Sequence, residues 1–88
     1  MKSYCISYDL CSPGKDYSAL YDAIKAYGTW AKVTESFYIV KTSQSATSIR
    51  DNLRNCLDSN DRLFVGNLSG EAAWRNVICD NDWLKKYL

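Results

Sequence analysis

The sequence predicts an α+β fold, because strand-like and helix-like patterns follow one another in a fixed order along its 88 residues. Residues 2–10, KSYCISYDL, alternate so that Tyr4, Ile6 and Tyr8 fall on one side, as in a strand with one packed face. Two later segments repeat apolar residues at the three- and four-residue spacing of amphipathic helices. Segments rich in aromatic and β-branched residues lie between and after them. The predicted order is strand, helix, strand, strand, helix, strand.

The first helix follows a Ser12-Pro13-Gly14 turn, and Asp16 is expected to cap its start. Gly28 supplies its C-terminal stop. We expect about three turns, with the apolar stripe facing a sheet. That stripe consists of Tyr17, Leu20, Tyr21, Ile24 and Tyr27.

Residues 30–42, WAKVTESFYIVKT, are too long for one ordinary strand. Their polar centre, Thr34-Glu35-Ser36, predicts strands Trp30–Val33 and Phe37–Thr42 joined by a tight turn. One bent strand is the alternative, because no Asn-Gly or Asp-Gly pair marks a hairpin.

Ser45 is expected to cap a second helix that runs to about Leu57, and residues 61–68 form the last predicted strand. This order is the ferredoxin-like β-α-β-β-α-β arrangement: a four-stranded antiparallel sheet with two helices on one face and the other face open. An open face with aromatic side chains invites dimerisation. We assign residues 1–70 to this domain. Residues 71–88 are a tail with a short helix from Asp82, which Trp74 and Trp83 anchor on the same domain or across a dimer.

Composition excludes several classes of function. The chain has no histidine, so His-based catalysis is excluded, and its four cysteines form no C-x-x-C pair, which argues against a zinc site. The formal net charge of +1 gives no general attraction to nucleic acid or acidic lipid. Residues 1–10 lack the long apolar run of a secretory signal, and no stretch approaches the roughly 20 apolar residues of a membrane span, so we expect a cytoplasmic protein with reduced thiols and no membrane partner.

Short motifs along most of the chain carry a family resemblance. They are Tyr8-Asp9-Leu10, Gly28, KVTESF at 32–37, SNDRLFV at 59–65 and AAWR at 72–75. With them the chain resembles the CRISPR-associated protein 2 superfamily, the small ferredoxin-like subunit of spacer-acquisition complexes, and within it the stand-alone SinR-like members. It is more distantly similar to the virulence-associated D ribonucleases of toxin systems, which have an Asp at the same strand end.

The resemblance implies a symmetric homodimer in which Asp9 of each copy faces its twin. The pair would hold one Mg²⁺, with Asp9 as metal ligand and catalytic residue of a metal-dependent nuclease. Ser36 matches the family's serine at the start of the third strand, a neighbour of backbone or phosphate. Cys11-Ser12-Pro13-Gly14 separates Asp9 from Lys15, the first basic residue after it, and Thr34 stands where the family commonly has glutamine.

The residues themselves leave alternatives open. Asp9 is either a metal ligand or the end of a strand that accepts loop N–H groups. Arg50 and Arg54, one helical turn apart, either grip phosphates or lie on a solvated helix face diluted by Asp51 and Asp58. The aromatic residues either stack on bases or fill the core and a dimer interface.

The expected function is therefore that of a dimeric, nucleic-acid-associated protein. It either binds nucleic acid as a scaffold or cleaves it weakly with Mg²⁺, as an endonuclease or ribonuclease. The alternative is a non-catalytic protein-interaction module of a phage or mobile element that binds a host factor. A toxin ribonuclease is the third option.

Overall fold

The computed structural model describes residues 1–88 and confirms the predicted ferredoxin-like α+β fold. The elements are β1 (Lys2–Asp9), α1 (Ser18–Lys25), β2 (Thr29–Thr34), β3 (Phe37–Thr42), α2 (Ala46–Arg54), β4 (Arg62–Leu68) and α3 (Asn81–Tyr87). The strands form one sheet in the order β2-β3-β1-β4, and every neighbouring pair is antiparallel. The first and last strands of the domain are therefore neighbours, and β1 lies inside the sheet.

The main core lies between the sheet and the helices α1 and α2. Tyr4, Ile6 and Tyr8 of β1 are buried there, as their alternation predicts. Leu20 and Ile24 of α1 are fully buried against the same cluster. Tyr17, Tyr38, Val40, Ile49 and Leu53 complete the buried set.

A side chain caps α2 at its start, whereas the N-cap residue of α1 is Tyr17, which makes no side-chain capping bond. The Ser45 hydroxyl accepts a hydrogen bond from the Ser48 backbone N–H at 3.1 Å. Asp16 accepts one from the Ser18 N–H at 2.9 Å. The prediction that α2 reaches about Leu57 is wrong by one turn. Its α pattern ends at Arg54, because Leu57 donates its N–H to the Arg54 carbonyl, three residues back, at 3.1 Å.

β2 and β3 form a hairpin with Glu35 and Ser36 as its turn, so the alternative of one bent strand is wrong. The register shifts between Lys32 and Thr34, which leaves Val33 as an extra residue opposite β3. The shift lets a two-residue turn close the hairpin without an Asn-Gly pair.

The second face of the sheet is partly covered, so the prediction of an open face is wrong for the part around Val33 and Ile39. The C-terminal tail folds back on its own sheet, where Leu84 of α3 is 1% exposed against Val33 and Ile39. Two long-range hydrogen bonds fasten the tail: the Ser3 hydroxyl donates to the Tyr87 carbonyl at 3.0 Å, and the Ile78 N–H donates to the Val33 carbonyl at 2.9 Å. Trp74 and Trp83 pack around the same small core.

The two margins of the sheet differ. Along β2, the tail reaches the strand through the Ile78–Val33 hydrogen bond. Along β4 no other strand pairs, and Phe64 there is 65% exposed with its ring over Gly66. No helix in this fold has the length and apolar content needed to cross a bilayer.

Candidate functional site

Asp9 lies at the last position of β1, at the end of the sheet opposite the tail's fastening to Ser3. Its neighbour across the β1–β4 ladder is Arg62, and the Arg62 guanidinium lies 3.7 Å from the Asp9 carboxylate. The Asp9 side chain is 68% exposed. A solvated ion pair of this kind is weak, so the carboxylate is accessible to another cation.

Ser36 lies at the same end of the sheet. Its carbonyl accepts the Tyr8 backbone N–H at 3.2 Å, and the Tyr8 hydroxyl lies 3.4 Å from the Glu35 carbonyl. Ser36 itself is exposed. The structure therefore places the Ser36 turn at the same end of the sheet as Asp9 and Arg62, and Ser36 contacts β1 there through its backbone carbonyl.

A shallow depression of about 150 Å³ opens beside Asp9, lined also by Ser7, Arg62 and the exposed Phe64. One copy of the chain brings no three Cys, Asp or Glu side chains into a group that would hold a metal. Mg²⁺ is commonly held by one or two carboxylates and completed by waters and substrate phosphates. One Asp9 supplies a single carboxylate, and a second copy would supply the other.

The Lys15 side chain is paired with Asp58 and not with Asp9. Its ammonium forms an ion pair with Asp58 at 2.8 Å, and the Ser12 hydroxyl donates to the same carboxylate at 2.9 Å. The hydrogen bond with Lys15, then that with Ser12, holds the pKa of Asp58 below its ordinary value. The same hydrogen bond raises the pKa of Lys15, so this pair stays ionised at neutral pH.

Asp61 organises the loops around the candidate site, and sequence reasoning missed this role. Its carboxylate accepts the Cys11 N–H at 2.7 Å, the Asp58 N–H at 2.8 Å and the Tyr17 hydroxyl at 2.9 Å. Burial opposes its ionisation, yet these hydrogen bonds lower the pKa of Asp61 overall. The signal was the Asp58-Ser59-Asn60-Asp61 turn, whose residues favour side-chain bonds to backbone.

Arg50 and Arg54 share one carboxylate. Asp51 lies 2.9 Å from the Arg50 guanidinium and 3.7 Å from that of Arg54. The two arginine side chains are 54% and 70% exposed, so both remain accessible to solvent. Asp51 offsets part of their charge and weakens the phosphate-binding surface that their spacing suggests.

A second feature is a groove of about 580 Å³ along the β2 margin, between α1 and the tail, which we call the β2 groove. Lys25 lies in it, with its ammonium 5.1 Å from the centre of the Trp30 ring. Burial first, and then the negative charge of Asp80, raises the pKa of the Cys79 thiol, so this thiol is a poor nucleophile at neutral pH. The groove is lined by Tyr21, Lys25, Trp30, Ala31, Lys32, Tyr38, Ile78, Cys79, Asp80 and Trp83.

Sequence reasoning did not predict the β2 groove, because four of its ten lining residues come from the C-terminal tail, whose position on the sheet is a long-range property. The available signal was the pair of aromatic residues, Tyr27 and Trp30, between Lys25 and Lys32. No known protein-family profile matches the chain.

Proposed function

We propose that the chain is a cytoplasmic, nucleic-acid-associated homodimer similar to CRISPR-associated protein 2, with Asp9 of two copies at one shared Mg²⁺ site. The observation that supports this most is the place of Asp9. Its exposed carboxylate lies at the end of an inner strand, in a part of the second sheet face that the tail leaves uncovered. The exposed Phe64 beside it gives a second copy an apolar surface to cover. Four free cysteines agree with a reducing compartment.

The chemistry follows from the charges at this end of the sheet. Two Asp9 carboxylates facing each other across a twofold axis repel unless a cation lies between them. Bound there, Mg²⁺ supplies charge neutralisation and an activated water for attack on a phosphodiester. Arg62, 3.7 Å from Asp9 within one copy, is the cation of this chain placed to hold a phosphate next to the carboxylates.

Cleavage of DNA and RNA in Mg²⁺, together with the mass by light scattering, tests this proposal. Wild type should be a dimer and should cleave, and EDTA or Asp9→Asn should abolish cleavage without changing the mass. Asp22→Asn is the matched control, because Asp22 is an exposed carboxylate on α1 that forms no ion pair. A monomeric mass, or cleavage that survives Asp9→Asn, would overturn the shared-aspartate site.

The ion pairs favour a second candidate function, a non-catalytic module that binds a protein of a host cell. Lys15, Arg50, Arg54 and Arg62 each lie within 4.0 Å of a carboxylate of this same chain, which weakens phosphate binding. Gel shifts on duplex DNA and RNA at low and high salt separate the two candidates. A nucleic-acid-binding protein should shift them, with a loss at high salt and in the Arg50→Ala, Arg54→Ala double variant. No shift even at low salt favours the protein-binding module.

A further inference from the structure

We infer that the β2 groove is a binding site for a nucleotide unit, a nucleobase carrying a phosphate, separate from Asp9. Its volume of about 580 Å³ lies within the range of small-molecule sites, roughly 300–1,000 Å³. Seven of its ten lining residues are hydrophobic. The remaining lining residues are two lysines and one aspartate.

The walls suit a flat aromatic ring. The Trp30 and Tyr38 rings lie with their centres 6.0 Å apart and their planes tilted by 47°. Tyr21 of α1 and Trp83 of the tail line the same groove. Aromatic side chains bind nucleobases through stacking, which contributes about 1–3 kcal/mol per base. Tyr38 is buried in the main core, whereas Trp30, Tyr21 and Trp83 are each only partly buried and keep exposed ring surface.

The charges suit a phosphate. Lys25 forms no ion pair, in contrast to Lys15 with its carboxylate partner at 2.8 Å. Lys32 lies 3.5 Å from Glu35, but the Glu35 side chain is 88% exposed, so a phosphate competes well for that lysine. With Asp80 counted against the two lysines, the lining has a net charge of +1. A ring against the aromatic wall thus places its phosphate near the lysines at the rim.

Nuclear magnetic resonance of the three tryptophan indole N–H groups tests the site with AMP as the probe. Trp30 and Trp83 line the groove, whereas the Trp74 indole donates to Asn81 at 3.1 Å outside it and serves as an internal control. AMP should shift the Trp30 and Trp83 signals saturably, and Trp74 little. No saturable shift at millimolar AMP, or equal shifts with inorganic phosphate alone, would overturn the inference.

Charge variants make the test specific. Lys25→Gln should weaken AMP binding about two- to fivefold, the range for one solvent-screened charge contact, and should leave adenosine binding unchanged. Lys41→Gln is the matched control, since Lys41 lies over Tyr87 away from the groove. Equal affinity of Lys25→Gln and wild type for AMP would contradict the assigned role of Lys25.

The nucleotide unit has two sources, a free nucleotide or the end of a single strand. Tighter binding of a 5′-phosphorylated oligoadenylate than of AMP, with affinity falling as salt rises, identifies the strand end. Equal affinity identifies the free nucleotide. Asp9→Asn should bind AMP as wild type does, so failure of the groove and failure of the Asp9 proposal are measured separately.

Discussion

Removing the Leu84 side chain should cost a large part of the stability of this chain. Leu84 is 1% exposed in the small core between tail and sheet, with Val33 and Ile39 as its buried partners. Truncating such a leucine to alanine typically costs about 3 kcal/mol, since transfer and cavity terms add. A chain of this size has a total stability of roughly 4–13 kcal/mol. Leu84→Ala should therefore lower the melting temperature by roughly 12–24 °C.

Urea unfolding followed by circular dichroism measures this loss. Leu88→Ala is the matched control in the same segment, because Leu88 is 38% exposed and should cost only about 1 kcal/mol. Acrylamide quenching of tryptophan fluorescence in the folded protein adds a second readout, and it should rise in Leu84→Ala as Trp74 and Trp83 loosen. If Leu84→Ala unfolds at the same urea concentration as Leu88→Ala, the tail does not rest on the sheet as described.

Two further variants probe the loops and the helix start. The pKa of Asp61 lies below its ordinary value of 3.8 in the folded chain, because its hydrogen bonds outweigh the effect of burial. The stabilisation that the Asp61 carboxylate gives is therefore present above about pH 4 and is lost as the pH falls. Asp61→Asn should therefore reduce the fall in unfolding free energy between pH 5 and 2, and Asp22→Asn should leave that fall unchanged. An unchanged fall in Asp61→Asn would contradict the role of Asp61. Ser45→Ala removes the hydrogen bond to the Ser48 N–H and should lower the free energy of unfolding in urea by about 1 kcal/mol. Ser69→Ala, at an exposed position, should change it by no more than about 0.5 kcal/mol. Equal losses in the two variants would refute the cap.

The sheet and its helices were predictable because each carries its own periodicity. Alternation placed Tyr4, Ile6 and Tyr8 on one face, and those residues are buried there. The same pattern was misleading on the opposite face. Ser3 lies on the face that the ferredoxin-like layout leaves open, yet it is buried under the tail. The local pattern of β1 cannot predict that residues 71–88 fold back and cover part of this face.

The candidate site was predictable only as separate residues. The end of a strand was enough to single out Asp9, but its partner Arg62 depends on the β1–β4 register, which is a long-range property. Spacing suggested a pair of cations at Arg50 and Arg54, whereas the rotamers direct both toward Asp51. Side-chain direction of this kind follows from neighbouring charges in three dimensions, not from helical spacing.

The unequal margins of the sheet set a limit on self-association. An antiparallel sheet with two bare edges is able to recruit copy after copy into a fibre. Here the tail forms one hydrogen bond to the β2 margin, at the Val33 carbonyl, whereas the β4 margin has no tail segment bonded to it. A dimer joined through β4 would use that edge of each copy, and the tail beside Val33 would hinder a further chain from pairing with β2. The folded-back C-terminus would thus limit the addition of further copies at the β2 edge.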